Sequence, residues 1–127
     1  MNIALWIAAG LLAVAALAAG GSKLVLPKAK LSGNPGGDWA ADSSDAFVKT
    51  LGVLEVLAAI GLILPAVLDI APILVPVTAV CWILLMIGAM IAHLRYEGGA
   101  KFAAANAAYI VLAAFIAWGR FVLEPFA

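Results

Sequence analysis

Four long apolar runs alternate with short polar joints along the chain, over residues 2–20, 46–68, 72–94 and 102–122. A helix that crosses a bilayer needs roughly 20 mostly apolar residues. Hydrocarbon offers no partner for bare backbone N–H and C=O groups, so each run is expected to be helical. The expected fold is therefore all-α: a single transmembrane domain over 1–127, built as a membrane-embedded four-helix bundle. The first run has no basic segment ahead of it and exceeds the apolar core of a signal peptide. It is taken as a span, although Ala18-Ala19-Gly20 loosely resembles a cleavage site.

The joints carry the residues that stop and start helices. Pro65 lies near the end of the second run, and Asp69 sits in the turn that follows. Pro72 opens the third run at a first-turn position, where a missing N–H costs nothing. Pro76 lies deeper and is expected to bend that helix. Ser43 or Ser44 is placed to cap the second span. The one long connection is the loop 21–45, and a connection of that length in so compact a chain is usually functional or disordered. Trp39 within it suits an interfacial or partly re-entrant segment.

Composition narrows the class. The chain is 67% hydrophobic and 11% charged, with a mean hydropathy of +1.18. Soluble domains are about 45–50% apolar and about 25% charged, so a soluble domain and a disordered tail are excluded. Seven Lys and Arg balance seven Asp and Glu, which leaves no basic field for nucleic acid. Cys81 is the one cysteine, so no internal disulfide, CxxC pair or cysteine zinc site is available. It is expected to be a buried small hydrophobe.

The charges also orient the chain. Lys23, Lys28, Lys30, Lys49, Arg95 and Lys101 fall on the side of the long loop, against Arg120 alone on the other. That excess predicts a cytoplasmic loop side, holding 21–45 and 95–101, with both termini outside. Ala9, Ala13, Ala16 and Gly20, then Gly52, Ala59 and Gly61, then Gly88, Ala89 and Ala92, then Ala103, Ala107, Ala113 and Ala114 supply small faces. Association in lipid depends on such close packing, within one bundle or between copies in a homo-oligomer.

Against this apolar background four polar residues stand out. An ionisable group at membrane depth is expensive, roughly 2.5–3.5 kcal/mol near a helix centre on translocon scales. Glu55 lies about 12 Å inside the second span at 1.5 Å per residue. His93 is near the loop-side end of the third span, Asn106 is about one and a half turns into the fourth, and Lys23 follows the first. All four spans thus place a polar group at similar depth on one side. Val48, Gly52, Glu55 and Ala59 share one helix face. Trp82, Leu85 or Met86, Ala89 and His93 share another, and Asn106, Tyr109 and Ala113 a third. The expected result is a small pocket with Glu55 and His93 as its acid–base residues. Lys23, Trp39, Gly52, Trp82, Asn106 and Tyr109 would be its ligand-binding residues.

Structural roles compete with each assignment. Glu55 can be the anion of an ion pair with Lys23, Lys49 or His93. His93 can be an ordinary interfacial residue, Asn106 interhelical glue and Lys23 a snorkelling anchor. Trp39, Trp118 and Tyr96 suit an aromatic belt.

The sequence resembles the DoxX-like membrane proteins of bacteria. The resemblance rests on A-G-G-S-K-L (19–24), Trp39, F-V-K-T-L-G-V-L-E-V-L-A-A-I-G-L-I-L-P (47–65), A-P-I-L-V-P (71–76), A-H-L-R (92–95) and A-A-F-I-A-W-G-R-F (113–121). It implies a four-helix bundle in the bacterial inner membrane and carries the polar motif positions onto Lys23, Glu55 and His93. It also implies an association with quinone-linked redox systems, including thiosulfate oxidation. More distant relatives are assembly factors or cargo receptors.

Three functions follow as expectations. The first is binding of a lipophilic, quinone-like molecule, with the chain acting as a redox-associated subunit beside a partner that supplies electrons. The second is an acid–base enzyme in which Glu55 and His93 isomerise, open or cyclise a lipophilic substrate. The third is a non-catalytic assembly or scaffold protein. No residue set on the chain holds a metal or flavin by itself. His93, the one histidine, offers haem only an axial ligand or a bond shared between subunits.

Overall fold

A computed structural model describes residues 1–126, which form helices and turns alone. The elements are α1 (Asn2–Val25), α2 (Lys28–Ser32), α3 (Asp38–Ala41), α4 (Asp45–Val67), α5 (Leu74–Leu94) and α6 (Ala100–Trp118). A π-helical turn, Gly119–Leu123, continues α6. Four helices are long and apolar enough to cross a membrane: α1, α4, α5 and α6 with its π turn.

α1 runs past the expected end of the first span, through Lys23 to Val25. Its last carbonyls are satisfied by a side chain from another helix. Lys49 Nζ donates to the carbonyls of Lys23, Leu24 and Leu26 at 2.9, 3.0 and 3.3 Å. A cation at a helix C-terminus also meets the negative end of the helix dipole. Ser44 is the cap of α4, its hydroxyl accepting from the Phe47 N–H at 3.1 Å. Ser43 instead donates to the carbonyl of Trp39 at 2.8 Å and closes α3.

Three expectations on α5 are corrected. The helix starts at Leu74, so Pro72 lies in the turn ahead of it and not in its first turn. Pro76 falls in that first turn instead, where no N–H is needed and a proline gives no cause for a bend. Cys81 is exposed on the outer face with Val80 and Leu84, because Ala79, Trp82 and Met86 occupy the inward stripe.

α1 packs most closely on α4, and α5 on α6; the pairs close into a bundle through α4 against α5 and α1 against α6. Small residues set the spacing. A Cβ on Gly20 would lie 2.7 Å from the Gly52 carbonyl oxygen, and one on Gly52 would lie 2.9 Å from that of Gly20. Gly119 is seated against Leu5 in the same way, and Gly61 of α4 against Thr78 of α5. The core between the pairs holds Leu12, Ala16, Leu62, Val75, Ala79, Trp82, Ala113 and Ile116.

Candidate functional site

α1 and α4 run antiparallel in a register that sets glycine against charge. Gly20 lies against the Cβ of Glu55, and Gly52 against the Cβ of Lys23. With no side chain at either glycine, the lysine reaches along the groove to the carboxylate. Lys23 Nζ and Glu55 Oε1 are 2.7 Å apart, with the glutamate side chain only 6% exposed. Gly52 therefore makes room for Lys23 on the neighbouring helix. It does not line the ligand space expected of it.

That ion pair forms one wall of a cavity of about 590 Å³. Every other expected site residue lines it: Glu55, His93, Lys23, Trp39, Trp82, Asn106 and Tyr109. The space exists because α4 and α5 touch at Gly61 and Thr78, while Phe47, Leu51 and Glu55 of α4 stand across it from Leu85, Ala89 and His93 of α5. Phe47 and Leu84, on its rim, are 51% and 65% exposed. These apolar edges face the surroundings of the bundle.

The polar groups divide into satisfied and unsatisfied. Lys23 and Glu55 satisfy one another, and the lysine also lies 5.7 Å from the centre of the Trp39 ring. His93 packs its ring on Phe102 with centroids 5.4 Å apart. Among the described residues no hydrogen bond or ion pair joins His93 to Glu55, and Lys49 is spent on the end of α1. Trp82 Nε1 and Asn106 Nδ2, of residues on the cavity wall, are buried with no hydrogen-bond partner among the described residues. A buried donor left unpaired costs about 1–3 kcal/mol, so the fold carries two such costs in residues of one cavity wall. Among the described residues no three His, Cys, Asp or Glu side chains converge. What the cavity offers is an apolar body, two free N–H donors and an adjoining neutral ion pair.

The connection between α1 and α4 roofs this space. Leu31, Asn34, Gly36 and Gly37 line the cavity from above. Gly36 adopts a φ of 78° and sits on the Phe102 ring, where a Cβ would come within 2.8 Å. Lys28 Nζ ties the roof down by donating to the carbonyl of Ser43 at 2.8 Å. Tyr96, expected in an aromatic belt, donates its hydroxyl to the carboxylate of Asp42. The roof residues and Phe102 escape sequence reasoning. Asn34-Pro35-Gly36-Gly37 announces a turn, but nothing in it says what the turn folds over.

A family model described as the DoxX-like family matches residues 7–116. No curated protein and no solved structure matches the chain.

Proposed function

The chain belongs to the DoxX-like family, and from that premise we propose that it holds a lipophilic, quinone-like molecule in the cavity under the loop. The chain then serves as a redox-associated membrane subunit whose electrons come from a partner protein. The observation that carries this reading is the pair of unpartnered donors, Trp82 Nε1 and Asn106 Nδ2, set in a largely apolar wall. A molecule with an apolar skeleton and carbonyl oxygens answers both features. It removes apolar surface from water or lipid headgroups and accepts the two N–H groups. The rim at Phe47 and Leu84 admits such a molecule sideways, from the bilayer. The Lys23–Glu55 pair stands within the same cavity as a store of protons for reduced oxygens.

Acid–base catalysis by Glu55 with His93 draws less support, because the carboxylate is engaged by Lys23 and not by the imidazole. In this reading the roofed end of the bundle faces the cytoplasm of a bacterial inner membrane, following the excess of Lys and Arg there.

The test is mass spectrometry of the organic extract that co-purifies in mild detergent, beside titration with a short-chain quinone followed by tryptophan fluorescence. Wild type is expected to carry an enriched lipophile and to quench on titration. Asn106→Leu, with helicity unchanged, is expected to bind about tenfold more weakly, the worth of roughly one hydrogen bond. Equal binding by both proteins, or none by wild type, overturns the reading.

A further inference from the structure

At the opposite end of the bundle from the roofed cavity lies a second space, of about 240 Å³. It is enclosed by Pro72, Ile73 and Pro76 at the start of α5, and by Arg120, Phe121, Pro125 and Phe126 at the end of the chain's last helix. Six of these seven side chains are apolar. The seventh, Arg120, is only 4% exposed, and it is the one Lys or Arg on that side of the protein.

A charge so buried requires compensation. Part of it is aromatic: the guanidinium carbon lies 3.9 Å from the centre of the Phe126 ring and 6.0 Å from that of Trp6. Part, among the described residues, is one hydrogen bond, from Nη1 to the backbone carbonyl of Glu124 at 3.0 Å. The carboxylate of Glu124 makes no ion pair with it, and the one ion pair among the described residues is Lys23–Glu55. A guanidinium carries five N–H donors in a planar fork shaped for paired oxygens. Phe126 covers one face of the guanidinium, and Arg120 lines the space with Pro72, Ile73 and Phe121.

Depth identifies the guest. Arg120 lies 20 residues beyond the start of α6 at Ala100, which at 1.5 Å per residue is about 30 Å, the thickness of the hydrocarbon core. The fork therefore stands where headgroup phosphates begin. Trp6 lies against it, and Trp118, two residues before it in the chain, is 51% exposed as interfacial tryptophans are.

We propose that Arg120 and the surrounding space form a binding site for a phosphate group, independent of the cavity between Glu55 and Asn106. The phosphate oxygens take the free edge of the guanidinium, and Pro72, Ile73 and Phe121 cover the carbon adjoining the phosphate. A phospholipid headgroup and a phosphorylated solute share this chemistry.

The test measures thermal stability of the whole protein in nonionic detergent on addition of phosphatidylglycerol, of diacylglycerol with the same acyl chains, or of inorganic phosphate. The expected result is a rise in Tm of about 4 °C with phosphatidylglycerol and none with diacylglycerol. The rise should vanish in Arg120→Gln and shrink in Arg120→Lys, which keeps the charge but loses the fork. An equal rise with inorganic phosphate supports the same site filled by a soluble phosphate compound. Equal shifts by phosphatidylglycerol and diacylglycerol overturn the proposal. So does a wild type that responds to neither phosphate source, or an unchanged response in folded Arg120→Gln. The wild-type comparison of the two lipids decides the matter even if both variants fail to fold.

Discussion

Tyr96 and Asp42 sit outside the membrane-spanning segments, and their hydrogen bond links the α5–α6 turn to the roof of the cavity. The bond favours the neutral phenol beside a carboxylate, which holds the Tyr96 pKa above its ordinary value of 10.0. A raised folded pKa sets the sign. The link is complete below the ordinary value and is lost as pH rises through the raised one. Asp42→Asn is expected to bring the titration of Tyr96 back down, and Tyr96→Phe to remove it from the tyrosinate absorbance curve. A curve unmoved by Asp42→Asn would show that the bond does not form in solution. At this scale the sequence was legible where a polar residue broke an apolar run. Glu55, Lys23 and Asn106 stand out because lipid excludes them, and all three face one cavity. Gly52 and Cys81 were misread because their roles depend on the neighbouring helix and the outward stripe, which spacing along one helix does not reveal.

The long helices are specified separately at each end. Ser44 caps α4 through the Phe47 N–H, whereas Ser43 bonds back into α3. Ser44→Ala is expected to cost about 1 kcal/mol and to lower Tm by several degrees. Ser43→Ala should leave the melting of the bundle nearly unchanged, since it loosens only the roof. Equal effects of the two substitutions, measured by circular dichroism in detergent, would contradict this division. Four helices were legible because each run is long enough to span and uniformly apolar. α2 and α3 were not, since helices of five and four residues carry too little periodicity to register. The extension of α1 beyond Gly20 was hidden because Lys23 looks like the end of an apolar run. Its pairing with Glu55 and the capping of the helix end by Lys49 accompany that extension.

For the molecule as a whole, polarity is divided between two ends. The roofed end carries six of the seven Lys and Arg residues by sequence position, and the other end carries Arg120. In a Cys81→Ala background, a cysteine placed at Ser32 is expected to react with a membrane-impermeant maleimide in inverted vesicles and not in intact cells. Labelling in intact cells would reverse the orientation. Residue counts along each span revealed that polar groups meet at one depth. They did not reveal the order of helices around the bundle, nor that Arg120, counted only as a marker of sidedness, is buried among aromatic rings.

The contact of Gly61 with Thr78 is the point at which α4 and α5 touch before standing apart on either side of the larger cavity. Mechanically this is the pivot of a pair of tongs. The jaws can part to admit a longer or branched guest while the pivot stays closed, so grip and capacity are set at different places. A methyl group at position 61 is a wedge in the pivot, because it meets the hydroxyl of Thr78. Under the proposed function it is expected to spread the jaws and loosen the hold on small guests from a distance, and trimming Thr78 to alanine is expected to take the wedge out again.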